Sequence, residues 1–176
     1  MTPSRLLLIA GSRSLGATPE GCAWARGHLT LDLLGRRRAV DSLGRPSVPR
    51  NVLLTGGAAG PDVWAAEIGR AFGWEVVIYR PDGQQIGGNR SRWGSPTGRS
   101  APLARNAAMV RAAAKMAAAG WDVAVIGFVD LGSRTQGTAH CLGLAEAAGL
   151  EVWRRCWKAE TQAPAELRAE PTGAAA

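Results

Sequence analysis

Four short stretches hold the residue types that could do chemistry: Gly11-Ser12-Arg13, Gly56 to Asp62 (GGAAGPD), Pro102 to Met109 (PLARNAAM) and Arg134 to His140 (RTQGTAH). The last lies within Leu131 to Leu150, where an apolar run gives way to a glycine-bearing turn and then a helix. Thr138 is the expected N-cap there. The unpaired N–H groups of a first helical turn, with the positive end of the helix dipole, suit an anion. Gly137 and Thr138 therefore form a candidate phosphate cradle. Arg13, Arg105 and Arg134 are the cations that could complete it, and Ser12 and Asn106 add neutral polar contacts. An arginine such as Arg105, continuing the buried face of a helix, needs a partner, and a phosphate or carboxylate is one candidate.

Asp62 has two readings. An acid in the first turn of a helix is worth typically about 0.3 to 1 kcal/mol, and this reading is slightly favoured. As a ligand contact it would suit ribose hydroxyls or a metal-bound water. His28 and His140 are the only histidines and neither has zinc-ligand spacing. No metal site and no cofactor are expected. Cys22, Cys141 and Cys156 are odd in number and show no CxxC spacing, which argues against a disulfide framework. A reducing, cytoplasmic setting fits this usage.

The elements that must position these residues follow from the apolar pattern. Arg5 to Ala10, Asn51 to Thr55, Glu75 to Tyr79, Asp122 to Val129 and the short Glu151 to Trp153 predict five strands. Helices are expected from a Thr18 cap and Pro19 to about Gly35, from Pro61 to Gly73, from Pro102 onward and from Thr138 to Gly149. Trp64, Ile68 and Phe72 form one apolar stripe, and Arg105, Met109, Ala112 or Ala113, and Met116 another. Strands alternating with helices predict an α/β fold, a mainly parallel sheet of about five strands covered on both faces. The glycine-rich turns after Ala10, Thr55 and Val129 then all lie at the carboxyl ends of the strands. Ligands of such sheets bind there. Tight turns alone explain any one of these glycine clusters, but three with polar neighbours less comfortably.

The chain has 176 residues, 46% of them hydrophobic, and a formal charge of +7. That is enough for one domain with a sizeable core and a surface that attracts anions, though a general arginine bias explains the charge about as well. Residues 1–156 are expected to form the domain, 81–101 a long loop or lid around Trp93, and 157–176 a disordered tail. No segment has the length of a membrane span, and no membrane partner is expected. GSRSLG departs from the GxGxxG pattern of dinucleotide sites, and no P-loop sequence occurs.

GSR, GGAAGPD, PLARNAAM and RTQGTAH, in this order over residues 5 to 153, resemble the SLOG superfamily, and most closely its YspA-like or YpsA-like branch. The resemblance implies a Rossmann-like domain binding a nucleotide or nucleotide-derived ligand through Gly11, Ser12, Arg13, Gly56, Gly57, Asp62, Asn106, Arg134, Gly137 and Thr138. Its LOG-type phosphoribohydrolases cleave the N-glycosidic bond of nucleoside monophosphates with an arginine, matched by Arg105, and an acid. Here the acid's position holds His140, and an imidazole cannot stabilise an oxocarbenium-like transition state as a carboxylate does. If the protein is an enzyme, Arg105 and His140 are the catalytic candidates, with His140 either a general acid toward the leaving base or merely a hydrogen-bond partner of the ligand. The first expectation is a sensor or nucleotide-processing protein. A phosphoribohydrolase comes second. Single-stranded nucleic-acid binding, as in the DNA-processing protein A branch, comes third, and a homo-oligomer stays open.

Overall fold

The computed structural model describes residues 3–36, 50–80, 85–86, 101–133 and 136–159. Arg5–Gly11 forms β1, and a short 3-10 turn at Arg13–Gly16 leads into α1, Pro19–Gly35. Then come β2 (Asn51–Thr55), α2 (Pro61–Ala71), β3 (Glu75–Tyr79) and β4 (Gln85–Ile86). The remaining elements are α3 (Ala101–Ala118), β5 (Asp122–Asp130), α4 (Gln136–Ala147) and β6 (Glu151–Trp157). The strands lie side by side in the order β4-β3-β2-β1-β5-β6. All pairings are parallel except that of β4 with β3. The fold is α/β, as the alternation of strand and helix patterns predicts, and Rossmann-like.

The period of two in β1 builds both layers. Leu7 and Ile9 face one way, against Ala25, Leu29 and Leu33 of α1 and Ala65 and Ala66 of α2. Leu6, Leu8 and Ala10 face the other, against Met109, Val110 and Ala113 of α3 and Cys141, Leu142 and Ala145 of α4. Burying a leucine or isoleucine in this way contributes about 1.5–3 kcal/mol per side chain. A β1 strand with both faces covered must be apolar where it is buried, as Leu6 to Ala10 are.

Local signals set the helix starts. Thr18 caps α1 by accepting from the Gly21 N–H at 3.1 Å, and Pro19 follows at the first helical position. Pro61 starts α2 in the same way after Gly60, whose φ of 90° is a conformation that side chains rarely adopt. The chain steps outward from β1 through β2 to β3, then returns through α3 to place β5 on the other side of β1. Strand order therefore reverses beside the carboxyl end of β1, where a crevice must open.

Several expectations need correction. Helix α4 begins at Gln136, so Thr138 lies inside its first turn and does not cap it. On α3 the buried line runs through Asn106, Met109, Val110 and Ala113, while Met116 is exposed. This line turns Asn106 inward and leaves Arg105 half-buried on the flank. The deepest residues of α2 are Pro61, Asp62, Ala65, Ala66 and Gly69, with Trp64, Ile68 and Phe72 packed at the margin. Strand β6 continues four residues past Trp153 and ends with the buried Trp157, at the start of the expected tail. In the stretch expected to be a loop or lid, Gln85–Ile86 adds an antiparallel edge strand and Ala101 already belongs to α3. The rest of that stretch, Trp93 included, and residues 160–176 lie outside the described residues.

Candidate functional site

A cavity of about 480 Å³ opens at the strand-order reversal. Its wall is built by the end of β1 and the turn after it (Ala10, Gly11, Ser12, Arg13), by Ala58 and Asp62 beyond β2, by the first turns of α3 (Pro102, Leu103, Arg105, Asn106) and by Gly137 and Thr138 of α4. This volume is within the usual range of about 300–1,000 Å³ for small-molecule sites.

Each wall is tied to the next through a side chain. The Ser12 N–H donates to the Phe128 carbonyl at 2.9 Å, and the Ser12 Oγ accepts from the Asp130 N–H at 3.3 Å, so the β1 turn is stitched to β5. Asp62 stitches it to β2: its Oδ1 accepts from the Gly11 N–H at 2.9 Å and its Oδ2 from the Ala58 N–H at 3.3 Å. Thr55, at the end of β2, fixes the Asp62 backbone by donating its hydroxyl to the Asp62 carbonyl at 3.2 Å. Asn106 joins α3 to α4, its Nδ2 donating to the Gly137 carbonyl at 2.9 Å.

Arg105 is braced at two points. Its Nη1 donates to the Gly56 carbonyl at 2.9 Å, while Nε and Nη2 both donate to Asn106 Oδ1, at 3.4 and 3.2 Å. These bonds use three of the five guanidinium N–H groups, leaving two without a partner among the described residues. Gly56 makes the bracing possible. A Cβ there would lie 2.6 Å from Arg105 Cζ and 2.9 Å from Asp62 Oδ2, so only glycine lets the guanidinium and the carboxylate approach the same backbone atom.

The electrostatics follow from this crowding. Asp62 is 3% exposed. Burial pushes its carboxyl up to about 6, against the opposing pull of Arg105 and of the Ala58, Gly11 and Gly56 N–H groups. Burial also lowers the pKa of Arg105, which Asp62 partly restores and Arg13 lowers further. Guanidinium still remains cationic. Behind the cavity, burial pushes the Cys141 thiol up to about 12, helped by Asp62 and opposed by Arg105, so Cys141 is a neutral packing residue and not a nucleophile.

The sequence-predicted residues divide clearly. Gly11, Ser12, Arg13, Asp62, Arg105, Asn106, Gly137 and Thr138 come together in one wall. Gly56 and Gly57 lie outside the lining, with Gly56 acting from behind Arg105, and His140 is also outside it. The His140 Nδ1 is buried without a hydrogen-bond partner among the described residues. Arg134 lies outside the described residues. Sequence reasoning missed the apolar part of the wall, Ala10, Ala58, Pro102 and Leu103, although Pro102 and Leu103 stand in the same stretch as the arginine it singled out. No group of three or more potential metal ligands occurs among the described residues. No helix among them is long and apolar enough to cross a membrane.

No protein-family model and no curated protein matches the chain. Among solved structures, that of DNA processing protein A from Streptococcus pneumoniae is similar at 14% identity and a TM-score of 0.38, over 85% of this chain and 58% of that one. The chain thus spans under two thirds of the length of that neighbour.

Proposed function

We propose that the protein binds a nucleotide or nucleotide-derived ligand in this cavity, as a sensor or a nucleotide-processing protein. Its phosphate lies between Arg13, Arg105 and the first turn of α4 at Gly137 and Thr138. The observation that carries this reading is the bracing of Arg105, a residue of the cavity wall: the guanidinium is held on Gly56 and Asn106, and two of its N–H groups have no partner among the described residues. A fork held in place loses little freedom on binding an anion and can pair with two phosphate oxygens. Pro102 and Leu103 offer apolar surface to the rest of the ligand.

Binding is favoured over glycosidic hydrolysis by the condition of the carboxylate in the wall. Asp62 is committed to backbone donors on both oxygens, so it is poorly placed to stabilise an oxocarbenium ion. His140, named with Arg105 as a catalytic candidate, lines no part of the cavity. Calorimetric titration of the purified protein with nucleoside mono- and diphosphates, ADP-ribose and cyclic nucleotides tests the reading. Saturable binding that R105A weakens severely supports it. Absence of binding at millimolar ligand, or an R105A protein that binds as the native one does, refutes it.

A further inference from the structure

Asp62 is an expensive residue to place where it is. A buried carboxylate costs several kcal/mol unless charges and hydrogen bonds compensate, and the cost can be avoided by binding a proton. Backbone N–H groups reach its oxygens from two sides, from Gly11 at the end of β1 and from Ala58 on the turn after β2, with Gly56 beside it. The compensating charge comes from Arg105 on α3, which flanks the same Gly56 backbone without forming an ion pair with Asp62. Arg13, on the turn after β1, faces Arg105 across the cavity wall, and the thiol of Cys141 lies behind on α4.

An anion entering this cavity changes the balance at Asp62 in two ways. It shares the positive charge of Arg105 that favours the carboxylate form, and it brings a second negative charge beside the first. Both effects favour the neutral acid. We propose that Asp62 couples the cavity to pH, so that the anionic ligand is taken up together with a proton from solvent, which is held on the Asp62 carboxyl while the ligand is bound. The proposal rests on the nucleotide-binding reading and adds a regulatory property to the same site. Protonation leaves one Asp62 oxygen to accept from backbone and turns the other into a donor. The surrounding groups do not substitute for it: the Arg105 guanidinium remains a cation, and burial holds Cys141 as a thiol. Asp62 starts close enough to neutrality for the effect to be read, with burial placing its free-state pKa at about 6.

The sign is fixed by linkage. If the ligand raises the Asp62 pKa, affinity strengthens as pH falls from about 8 toward 6 and levels off below, by up to about tenfold for each unit of the rise. ADP-ribose is a suitable probe because its pyrophosphate lacks the terminal phosphate ionisation that falls near pH 6. Calorimetry in two buffers of different ionisation enthalpy at about pH 7 should show net proton uptake on binding. D62N should abolish both the uptake and the pH dependence in that window. A native affinity that is flat with pH, or a pH dependence that survives in D62N, overturns the coupling while leaving the binding site intact. No binding of ADP-ribose at any pH removes the coupling as stated. Where D62N does not fold, the 13C carboxyl signal of Asp62 in the native protein decides: its titration midpoint must move upward on addition of ADP-ribose, and an unmoved midpoint overturns the proposal.

Discussion

The guanidinium of Arg105 lies on the backbone of Gly56, 49 residues earlier in the chain, and donates to its carbonyl at 2.9 Å. This contact joins α3 to the turn after β2 and aims the cation at the cavity. It also makes Gly56 a site residue without ligand contact of its own. In G56A the new methyl group would occupy the space of Arg105 Cζ and Asp62 Oδ2. Overpacking of this kind costs about 1–3 kcal/mol of stability. Nucleotide affinity should fall by about tenfold or more, because displacement of about 1 Å removes a paired hydrogen-bond geometry. Chemical denaturation and calorimetry on one preparation measure both losses. G56A protein that binds like the native one would show that Arg105 needs no bracing.

R105K separates charge from geometry. Lysine keeps the positive charge but cannot reach Gly56, Asn106 and a phosphate with one planar fork. Affinity should drop about tenfold or more, nearly as far as in R105A. Equal affinity in R105K would mean that the site needs a charge there and nothing more.

Asp62 should leave a signature in the pH dependence of stability. Its folded-state pKa is raised from 3.8 to about 6, so the native state holds the proton more tightly than the unfolded chain does. Stability from this group is therefore fully present below the unfolded value and is lost as pH rises through the folded one. Relative to D62N, which cannot titrate there, the native protein should lose up to about 3 kcal/mol between pH 4 and 7. Urea denaturation of both proteins across that range reads the difference. A gap that widens in favour of the native protein as pH rises would reverse the sign and contradict a desolvated Asp62.

Asn106 supports two partners at once, the Gly137 carbonyl and Arg105. N106A should cost about 1–3 kcal/mol, the usual range for losing hydrogen bonds that include one to a charged group. Hydrogen exchange should rise in the first turn of α4 more than in the middle of α1. Uniform protection in N106A would show that α4 is held by its apolar face alone.

Much of this architecture is legible in the chain because it is locally encoded. RLLLIA reads as a doubly covered strand, Thr18-Pro19 and Gly60-Pro61 announce two helices, and the glycine-rich turns fall at the carboxyl edge of the sheet. Arg105 reads as part of the buried face of its helix, whereas Asn106 takes that line and leaves Arg105 half-buried on the flank. What escapes is what depends on distant partners. Asp62 looks like an ordinary helix-start acid until Gly11, 51 residues away, donates to it. Asn106 reads as a polar contact of the site until α4, packed beside α3 on the same face of the sheet, brings the Gly137 carbonyl to it. The start of α4 is misplaced because Gln136-Gly137 carries no cap signal while Thr138 does. The full length of β6 is hidden by charge: Arg154 and Arg155 interrupt the apolar pattern, yet Arg155 pairs with Asp32 of α1 and Trp157 is buried.

Backbone amide NMR during titration with ADP-ribose and nucleoside monophosphates reads whether the wall around Arg105 receives a nucleotide. Saturable shifts should concentrate at Ser12, Arg13, Asn106, Gly137 and Thr138 and be abolished by R105A. Shifts centred on another surface, or none at saturating ligand, would contradict nucleotide binding there.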